Sequence, residues 1–395
     1  MNETVRRTYD IVLFGATGFV GELTAEYLAA HAPADCRWAI AGRSPAKLEK
    51  LRERLIAVNP ACATLPILHA DAADPASLRE LAGSTRVLAT TVGPYVLYGE
   101  ELVAACADAG TDYADLSGEP EFADRMYLAY DARARETGAR IVHACGFDSI
   151  PHDLGVYFTV KQLPEGVPLR IDGFVRSNAM FSGGTFASAM TAFGRGRQTL
   201  RAAKERRLSE PRLVGRRARA PIGAPRRSRE TGTWALPLAT IDPQVVARSA
   251  AALDRYGPDF RYRHYAAVKW LPVAVGGVAA VGTAFALAQI PAARAWLMSR
   301  YAAGSGPDEE RRGRSWFTVR FVGEGGGRRV FTEVSGGDPG YDETAKMLAE
   351  SVLCLAFDEL PATSGQVTTA VAMGDALLKR LMAAGVRFRV AAVRE

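Results

Sequence analysis

The chain is poor in cysteine, histidine and lysine. Its five cysteines (Cys36, Cys62, Cys106, Cys145 and Cys354) are scattered, odd in number and contain no C-x-x-C pair. That excludes a disulfide frame and a cysteine-based zinc site, and points to a reducing compartment. The five histidines show no metal-ligand spacing, so no metal centre is expected. No apolar leader precedes the first strand-like run, so no signal peptide is expected. No internal repeat is visible. Lysine numbers 7 against 42 arginines, so arginine richness in one segment is partly a bias of the whole chain.

What is present is a globular composition, 48% hydrophobic and 23% charged. At 395 residues the chain exceeds one ordinary core, and two domains are expected. The net charge of +6 is uneven. Between Arg195 and Arg229 stand thirteen Arg or Lys against two Glu, so the rest of the chain is net acidic.

The most informative stretch runs from Tyr9 to Gly21. Ile11 to Phe14 is short and apolar, long enough for a buried strand. Gly15, Gly18 and Gly21 follow at G-x-x-G-x-x-G spacing, and Glu22 to Ala30 reads as a helix with Leu23, Tyr27 and Leu28 on one face. Strand, glycine turn and helix form the first unit of a dinucleotide-binding fold. Gly15 permits the tight turn, Gly18 lets backbone approach a pyrophosphate, and Gly21 lets helix and strand pack closely. The helix N-terminus then faces the phosphates. A second strand, Arg37 to Ala41, ends in Gly42-Arg43-Ser44, where an NAD enzyme usually carries Asp or Glu. Arg43, joined by Ser44 and Lys47, suits a 2′-phosphate, which selects NADP(H). The alternative is a solvated surface charge.

Further βα alternation follows. Leu65 to Ala70 reads as a strand. Asp71 ends it, either near the adenine or as the cap of the helix that Pro75 opens. Val87 to Val92 is a strand whose exit, Thr91-Val92-Gly93-Pro94-Tyr95, should border the nicotinamide side. Glu100 to Ala109 is a helix, Tyr113 to Leu116 a strand, Glu121 to Thr137 a helix and Arg140 to Ala144 a sixth strand. The alternation breaks near residue 160. Arg170 to Ser177 reads as a strand and Ser182 to Thr185 as a loop opening a helix with Ser188 and Met190. The basic segment that follows, with little periodicity, is expected at the surface. From Trp270 to Ala293 no residue is charged, while Lys269 precedes and Arg294 and Arg300 follow. Three readings stand for this stretch: a membrane span, a segment docking on a bilayer, or a helical hairpin buried within the protein or a dimer. Ser315 to Phe321 and Arg328 to Ser335 alternate as a hairpin, Tyr341 to Phe357 is an amphipathic helix capped by Asp338 or Asp342, and Gly365 to Val390 holds a turn, a helix and a last strand.

The fold class is therefore α/β: an N-terminal Rossmann-type doubly wound parallel sheet with a second mixed α/β domain. The expected divisions are residues 1–150 for the nucleotide, 151–365 for substrate and oligomerisation, and 366–395 for a C-terminal segment. A cleft between the first two suits an oxidoreductase. Hydride transfer to an activated double bond requires a donor for the developing oxyanion and a proton source. The candidates are Tyr95, Tyr98, Asp148 and Ser149, with Asp153, Ser182, Thr185 and Ser188 also on the far wall. Either tyrosine is alternatively a packing residue, and Asp148 alternatively caps the Pro151 turn. Cys145 reads as a small buried residue.

Gly-Ala-Thr-Gly-Phe-Val-Gly21, Ala-Gly-Arg-Ser44, Thr-Val-Gly-Pro-Tyr95, Tyr-Ala-Asp-Leu-Ser-Gly-Glu119 and Cys-Gly-Phe-Asp-Ser-Ile-Pro151 together resemble the saccharopine dehydrogenase-like family. Within it the chain is similar to the trans-acting enoyl reductase branch, which Ser-Gly-Gly-Thr185 and Ala-Met-Gly-Asp-Ala-Leu-Leu378 also fit. The resemblance implies NADP(H) held by Gly15, Thr17, Gly18, Phe19, Val20, Gly21, Arg43 and the Thr91 to Tyr95 loop, and a C-terminal segment packed back on the Rossmann domain; Ala16, within the glycine turn, is a further cofactor candidate. It implies reduction of an enoyl thioester on an acyl carrier protein, polyketide synthase or CoA, in the synthesis of envelope lipids. A membrane surface and a second copy of the chain are expected partners, nucleic acid is not, and the expected location is the cytoplasm at the plasma membrane. Two other readings are a saccharopine-type amino-acid or imine dehydrogenase, and a membrane-docked nucleotide-sensing scaffold without turnover.

Overall fold

The computed structural model describes residues 7–179, 190, 191, 193–290, 292, 293, 296 and 307–394. The expectations for Ser182, Thr185, Ser188, Arg294 and Arg300 lie outside the described residues.

Six strands alternate with helices in the first part: β1 (Tyr9–Phe14), β2 (Trp38–Gly42), β3 (Ile67–His69), β4 (Thr85–Thr90), β5 (Asp112–Asp115) and β6 (Arg140–Val142). All pair in parallel, in the order β3-β2-β1-β4-β5-β6, so the sheet winds outward in both directions from β1 and β4. Ile11, Val12 and Leu13 are wholly buried because helices cover both faces. β6 stops two residues short of the expected Ala144, which lies at φ 60, a left-handed conformation that cannot continue a strand.

The second part is an eight-stranded mixed sheet. Its strands are β7 (Leu169–Ser177), β8 (Arg217–Arg219), β9 (Arg226–Arg227), β10 (Trp234–Pro237), β11 (Asp259–Val268), β12 (Phe317–Gly325) and β13 (Arg328–Gly336), with a last strand from the chain end. The expected hairpin is β12–β13, turning at Gly326 and Gly327, both at positive φ. One face packs on the helix Ile150–Val160, where Val156, Phe321 and Val334 share a core. Gly155 permits that approach, since a Cβ there would stand 2.4 Å from the Phe321 ring. This helix was not foreseen. It carries Pro151 in its first turn and joins the two sheets.

Three expectations for the second half are corrected. Gly365 opens not a turn but β14 (Gly365–Val367), a seventh parallel strand beside β6. Three residues show too little alternation to read, and the partner strand is remote in sequence. The final strand, β15 (Arg387–Arg394), pairs with β13, so the C-terminal segment supplies a strand to each sheet. The basic segment begins as a regular helix, Gly196–Ser209, held by ion pairs in place of an apolar stripe: Arg195 on Glu121, Arg206 on Asp124 at 2.5 Å. The uncharged stretch forms one continuous helix, Leu271–Ala288, with only Ala274 and Ala288 buried. It is not a hairpin buried within the protein. It is long and apolar enough to cross a membrane, by length and composition only.

Candidate active site

The glycine turn shows a separate reason for each glycine. Gly15 lies at φ 84, and a Cβ there would meet Val92 at 2.7 Å. A Cβ on Gly21 would stand 2.2 Å from the Gly15 carbonyl oxygen, so helix Phe19–His31 approaches β1 only because Gly21 has none. Gly18 is different. It caps that helix and is exposed, and its nearest protein atom would be the Gly15 oxygen at 3.4 Å. A side chain there would fill the space in front of the helix N-terminus, which is the cradle a pyrophosphate needs. Thr17 borders this space, Ala16 is buried beneath it, Phe19 packs edge-on against Tyr341 at 4.8 Å, and Thr91 Oγ donates to the Gly15 carbonyl at 3.0 Å. Val20 takes the Thr24 hydroxyl on its carbonyl.

Arg43 is exposed at the end of β2 and, among the described residues, no carboxylate holds it; Lys47 is exposed one turn into the next helix, and Ser44 caps that helix without a side-chain bond. These unspent donors at the strand end fit a phosphate-bearing ribose. Asp71 Oδ1 accepts from Ala73 N at 3.0 Å, so it closes a turn, and the cap of helix Pro75–Ser84 is Asp74 instead.

At the exits of β4 and β5 the structure corrects one assignment. Tyr95 is buried, its hydroxyl donates to the Thr90 carbonyl and accepts from Leu116 N, each at 3.2 Å. Burial drives its acidity far down, so it is a packing tyrosine that ties two strand ends and not a proton source. Glu119 accepts from Tyr95 N and Val96 N and thereby fixes the Val92-Gly93-Pro94 turn. Tyr98, half exposed, stays at the rim. Sequence reading missed the buried Asp115, whose carboxylate takes Ser117 N, Ala144 N, Tyr113 Oη and His143 Nδ1. It locks the β5 and β6 exits together, and no local pattern announces it.

Beyond β6 the loop carries Asp148 and Ser149. Asp148 is partly buried against Gly118, where a Cβ would lie 2.8 Å from its Oδ2. Burial, and then repulsion from Asp242, push its carboxyl up to about 7, with His152 pulling the other way. The Ser149 hydroxyl is buried without a hydrogen-bond partner. Asp153 is not on the far wall: its carboxylate accepts from Ser249, Thr369 and Ala370 N, which makes it a structural tie. Cys145 is buried, and burial holds it as an inert thiol.

Close to Asp148 stands a group that linear spacing concealed. His152, Asp242 and His264 come from a helix start, a second helix start and β11, and all three are buried. One ligand-type atom of each lies within 4.8 Å of the others. The absence of metal-ligand spacing among the histidines therefore does not hold in three dimensions. Burial raises the Asp242 carboxyl, but His152 and His264 outweigh that and hold it below the usual range. Burial pushes His264 down to about 4 and so keeps it neutral.

Residues 11–142 match the family described as the saccharopine dehydrogenase NADP binding domain. Over its length the chain is 41% identical to a protein of Mycobacterium tuberculosis (strain H37Rv) named as a candidate trans-acting enoyl reductase, covering 96% of this chain and 97% of that one. The chain belongs to the saccharopine dehydrogenase-like family, in its trans-acting enoyl reductase branch. A trans-acting enoyl reductase of Mycobacterium ulcerans is 36% identical, with 97% of this chain and 98% of that one covered. Among solved structures, apo saccharopine dehydrogenase (L-Glu forming) from Saccharomyces cerevisiae superposes with a TM-score of 0.57 over 97% of this chain and 100% of that one; at 12% identity this shows the fold alone. This member of the branch is accordingly an NADP-dependent oxidoreductase with NADP(H) as its cofactor, and the glycine cradle and unspent Arg43 fit that group.

Proposed function

We propose that the chain is an enoyl reductase that acts in trans on an acyl thioester carried by an acyl carrier protein, a polyketide synthase or CoA, in envelope-lipid synthesis at the cytoplasmic face of the membrane. The single observation that carries the lipid part is the exposed helix Leu271–Ala288. It shows apolar residues all round, including Val273, Val275, Val278, Val281 and Phe285. A helix with no polar face is unstable against water and suits hydrocarbon. Its 18 residues span about 27 Å at 1.5 Å per residue, close to the hydrocarbon thickness of a bilayer. Lys269, whose ammonium stacks over Trp270 at 5.5 Å, supplies an interfacial anchor at one end.

The roles follow the geometry. The first-turn N–H groups of helix Phe19–His31 hold the pyrophosphate, Arg43 with Ser44 and Lys47 holds the 2′-phosphate, and the Thr91–Pro94 loop borders the nicotinamide. Bound NADPH supplies the hydride for the β-carbon. Asp148, neutral up to about 7, delivers the proton to the α-carbon, and Tyr98 lines the entrance. For a carrier partner the usable cations are fewer than the sequence promised. Arg195, Arg206, Arg216, Arg219 and Arg226 are spent on internal carboxylates, while Arg197, Lys204, Arg207, Arg212 and Arg229 are exposed without an ion pair among the described residues. These would steer an acidic carrier. A homo-oligomer remains part of this reading, because a second copy could cover part of the apolar helix.

The test is NADPH consumption by the purified chain with long-chain 2-enoyl thioesters, with amino and 2-oxo acids as competitors, together with flotation on anionic liposomes. Turnover only with the enoyl thioester and flotation lost on deleting 270–290 are expected. Oxidation of an amino dicarboxylate, or an intact chain that never floats, would defeat the respective half.

A further inference from the structure

The roles assigned above leave His152, Asp242 and His264 unused. They are 2%, 3% and 4% exposed, so the Asp242 charge sits in the interior where it needs compensation. Contacts around the three orient them inward. Tyr262 Oη lies 2.7 Å from His264 Nδ1, which leaves Nε2 turned toward Asp242, 3.7 Å from its Oδ2. The Thr240 hydroxyl donates to Asp242 Oδ2, which leaves Oδ1 unspent. The Phe147 ring covers His152 at 5.5 Å and is itself backed by Phe317 at 4.9 Å.

One detail separates this group from an ordinary hydrogen-bonded triad. His152 Nδ1 and Asp242 Oδ1 are 2.6 Å apart, yet neither atom has a hydrogen-bond partner, nor does His152 Nε2. By contrast, His143 Nδ1 meets Asp115 Oδ2 at 2.7 Å in a well-formed hydrogen bond. What the group offers a cation is the convergence of two imidazoles and a carboxylate within 4.8 Å, with His152 Nε2 buried and unspent among the described residues. Outer-layer hydroxyls that fix the far nitrogen of an imidazole and the far oxygen of a carboxylate are also the usual support of a metal ligand set.

We propose that His152, Asp242 and His264 bind one divalent transition-metal cation of the Zn2+ class. Two imidazoles and one carboxylate suit Zn2+, Co2+ or Fe2+ and not Ca2+ or Mg2+, which take oxygen ligands. Three protein ligands leave a fourth position for water or for an oxygen of a bound ligand. The cation would join helix Ile150–Val160, helix Asp242–Ala252 and β11, and so tie the element that follows the Rossmann sheet to the second sheet. This inference does not rest on the proposed substrate.

The experiment uses the full chain, purified without chelator, with metal content measured by elemental analysis. The chain is then stripped with dipicolinate and titrated with Zn2+ and Co2+, with thermal unfolding read in parallel. One metal per chain, a melting temperature that rises with Zn2+ and falls with EDTA, and a visible absorption band of four-coordinate Co2+ are expected. Asp242→Asn should abolish stoichiometric binding. Tyr262→Phe, which removes only the outer hydrogen bond, should fold and weaken Zn2+ by about 10- to 100-fold. A wild-type chain that binds NADPH and melts cooperatively, yet holds no stoichiometric metal and does not respond to Zn2+ or Co2+, overturns the site. So does metal binding unchanged in both variants.

Discussion

Arg43 carries its charge at the end of β2 with no carboxylate among the described residues to satisfy it. A charge-assisted contact of this type is worth about 1.5–3 kcal/mol, or roughly ten- to a hundredfold in affinity. Arg43→Ala should therefore raise the KM for NADPH by that factor and leave the KM for NADH unchanged, as steady-state kinetics with both cofactors would show. Asp148 makes a prediction of opposite kind. Its folded pKa of about 7 exceeds the roughly 3.9 of an unfolded chain, so the fold binds the proton more tightly. In the metal-free chain, stability should decline as pH rises from about 4 to about 7 and then level off, while activity falls above pH 7 as the donor ionises; a cation held on Asp242 would shift both transitions to lower pH. Asp148→Asn should flatten the melting profile between pH 5 and 8 and lower kcat by about a hundredfold or more. Arg43 was legible because its role follows from its place after a strand. Tyr95 was not, because what consumes its hydroxyl, Leu116 N and the Thr90 carbonyl, is set by the neighbouring strand end.

At the scale of elements, the glycine turn separates folding from binding. Gly21→Ala puts a Cβ 2.2 Å from the Gly15 carbonyl oxygen, a backbone atom that cannot swing away. The helix must back off from β1, at a cost of about 1–3 kcal/mol, and NADPH binding should fail with it. Gly18→Ala meets only the Gly15 oxygen at 3.4 Å, an ordinary contact. It should leave the melting temperature unchanged and still weaken NADPH, because its methyl occupies the cradle. Melting curves and NADPH titrations of the two variants distinguish these outcomes, and a Gly18→Ala protein with unaltered NADPH affinity would move the phosphates elsewhere. Strand, turn and helix were legible here because each rests on neighbours within a few residues. The basic segment was not. Its helix Gly196–Ser209 lacks an apolar stripe, leaves Leu200 and Leu208 in solvent, and is docked by Arg195 and Arg206 on carboxylates of helix Pro120–Thr137. Ion pairs between remote segments carry no periodicity.

The whole molecule is closed by its own end. β14 extends the Rossmann sheet beyond β6, β15 borders β13, and the helices Thr369–Ala372 and Gly374–Ala383 lie between them in sequence. The joint is Asp153 on the connecting helix. Its buried carboxylate takes the Ser249 hydroxyl at 2.5 Å, the Thr369 hydroxyl at 2.7 Å and Ala370 N at 2.8 Å, so one side chain links the first sheet's exit, the helix Asp242–Ala252 and the chain end. Asp153→Ala would remove the acceptor that three buried donors share. Ser249 has a second partner in the Thr368 hydroxyl at 2.6 Å and would lose least. At about 1–3 kcal/mol for each group left unpaired, a loss of roughly 3–5 kcal/mol is expected. Asp153→Asn keeps one acceptor oxygen and should lose about half as much. Urea unfolding of the two variants measures this. If the terminal segment is integral to one cooperative unit, Asp153→Ala lowers the midpoint and keeps a single transition. If it is only an appendage, a separate early transition appears and the main midpoint stays where it was, because β1 to β6 would then owe nothing to residues beyond 365.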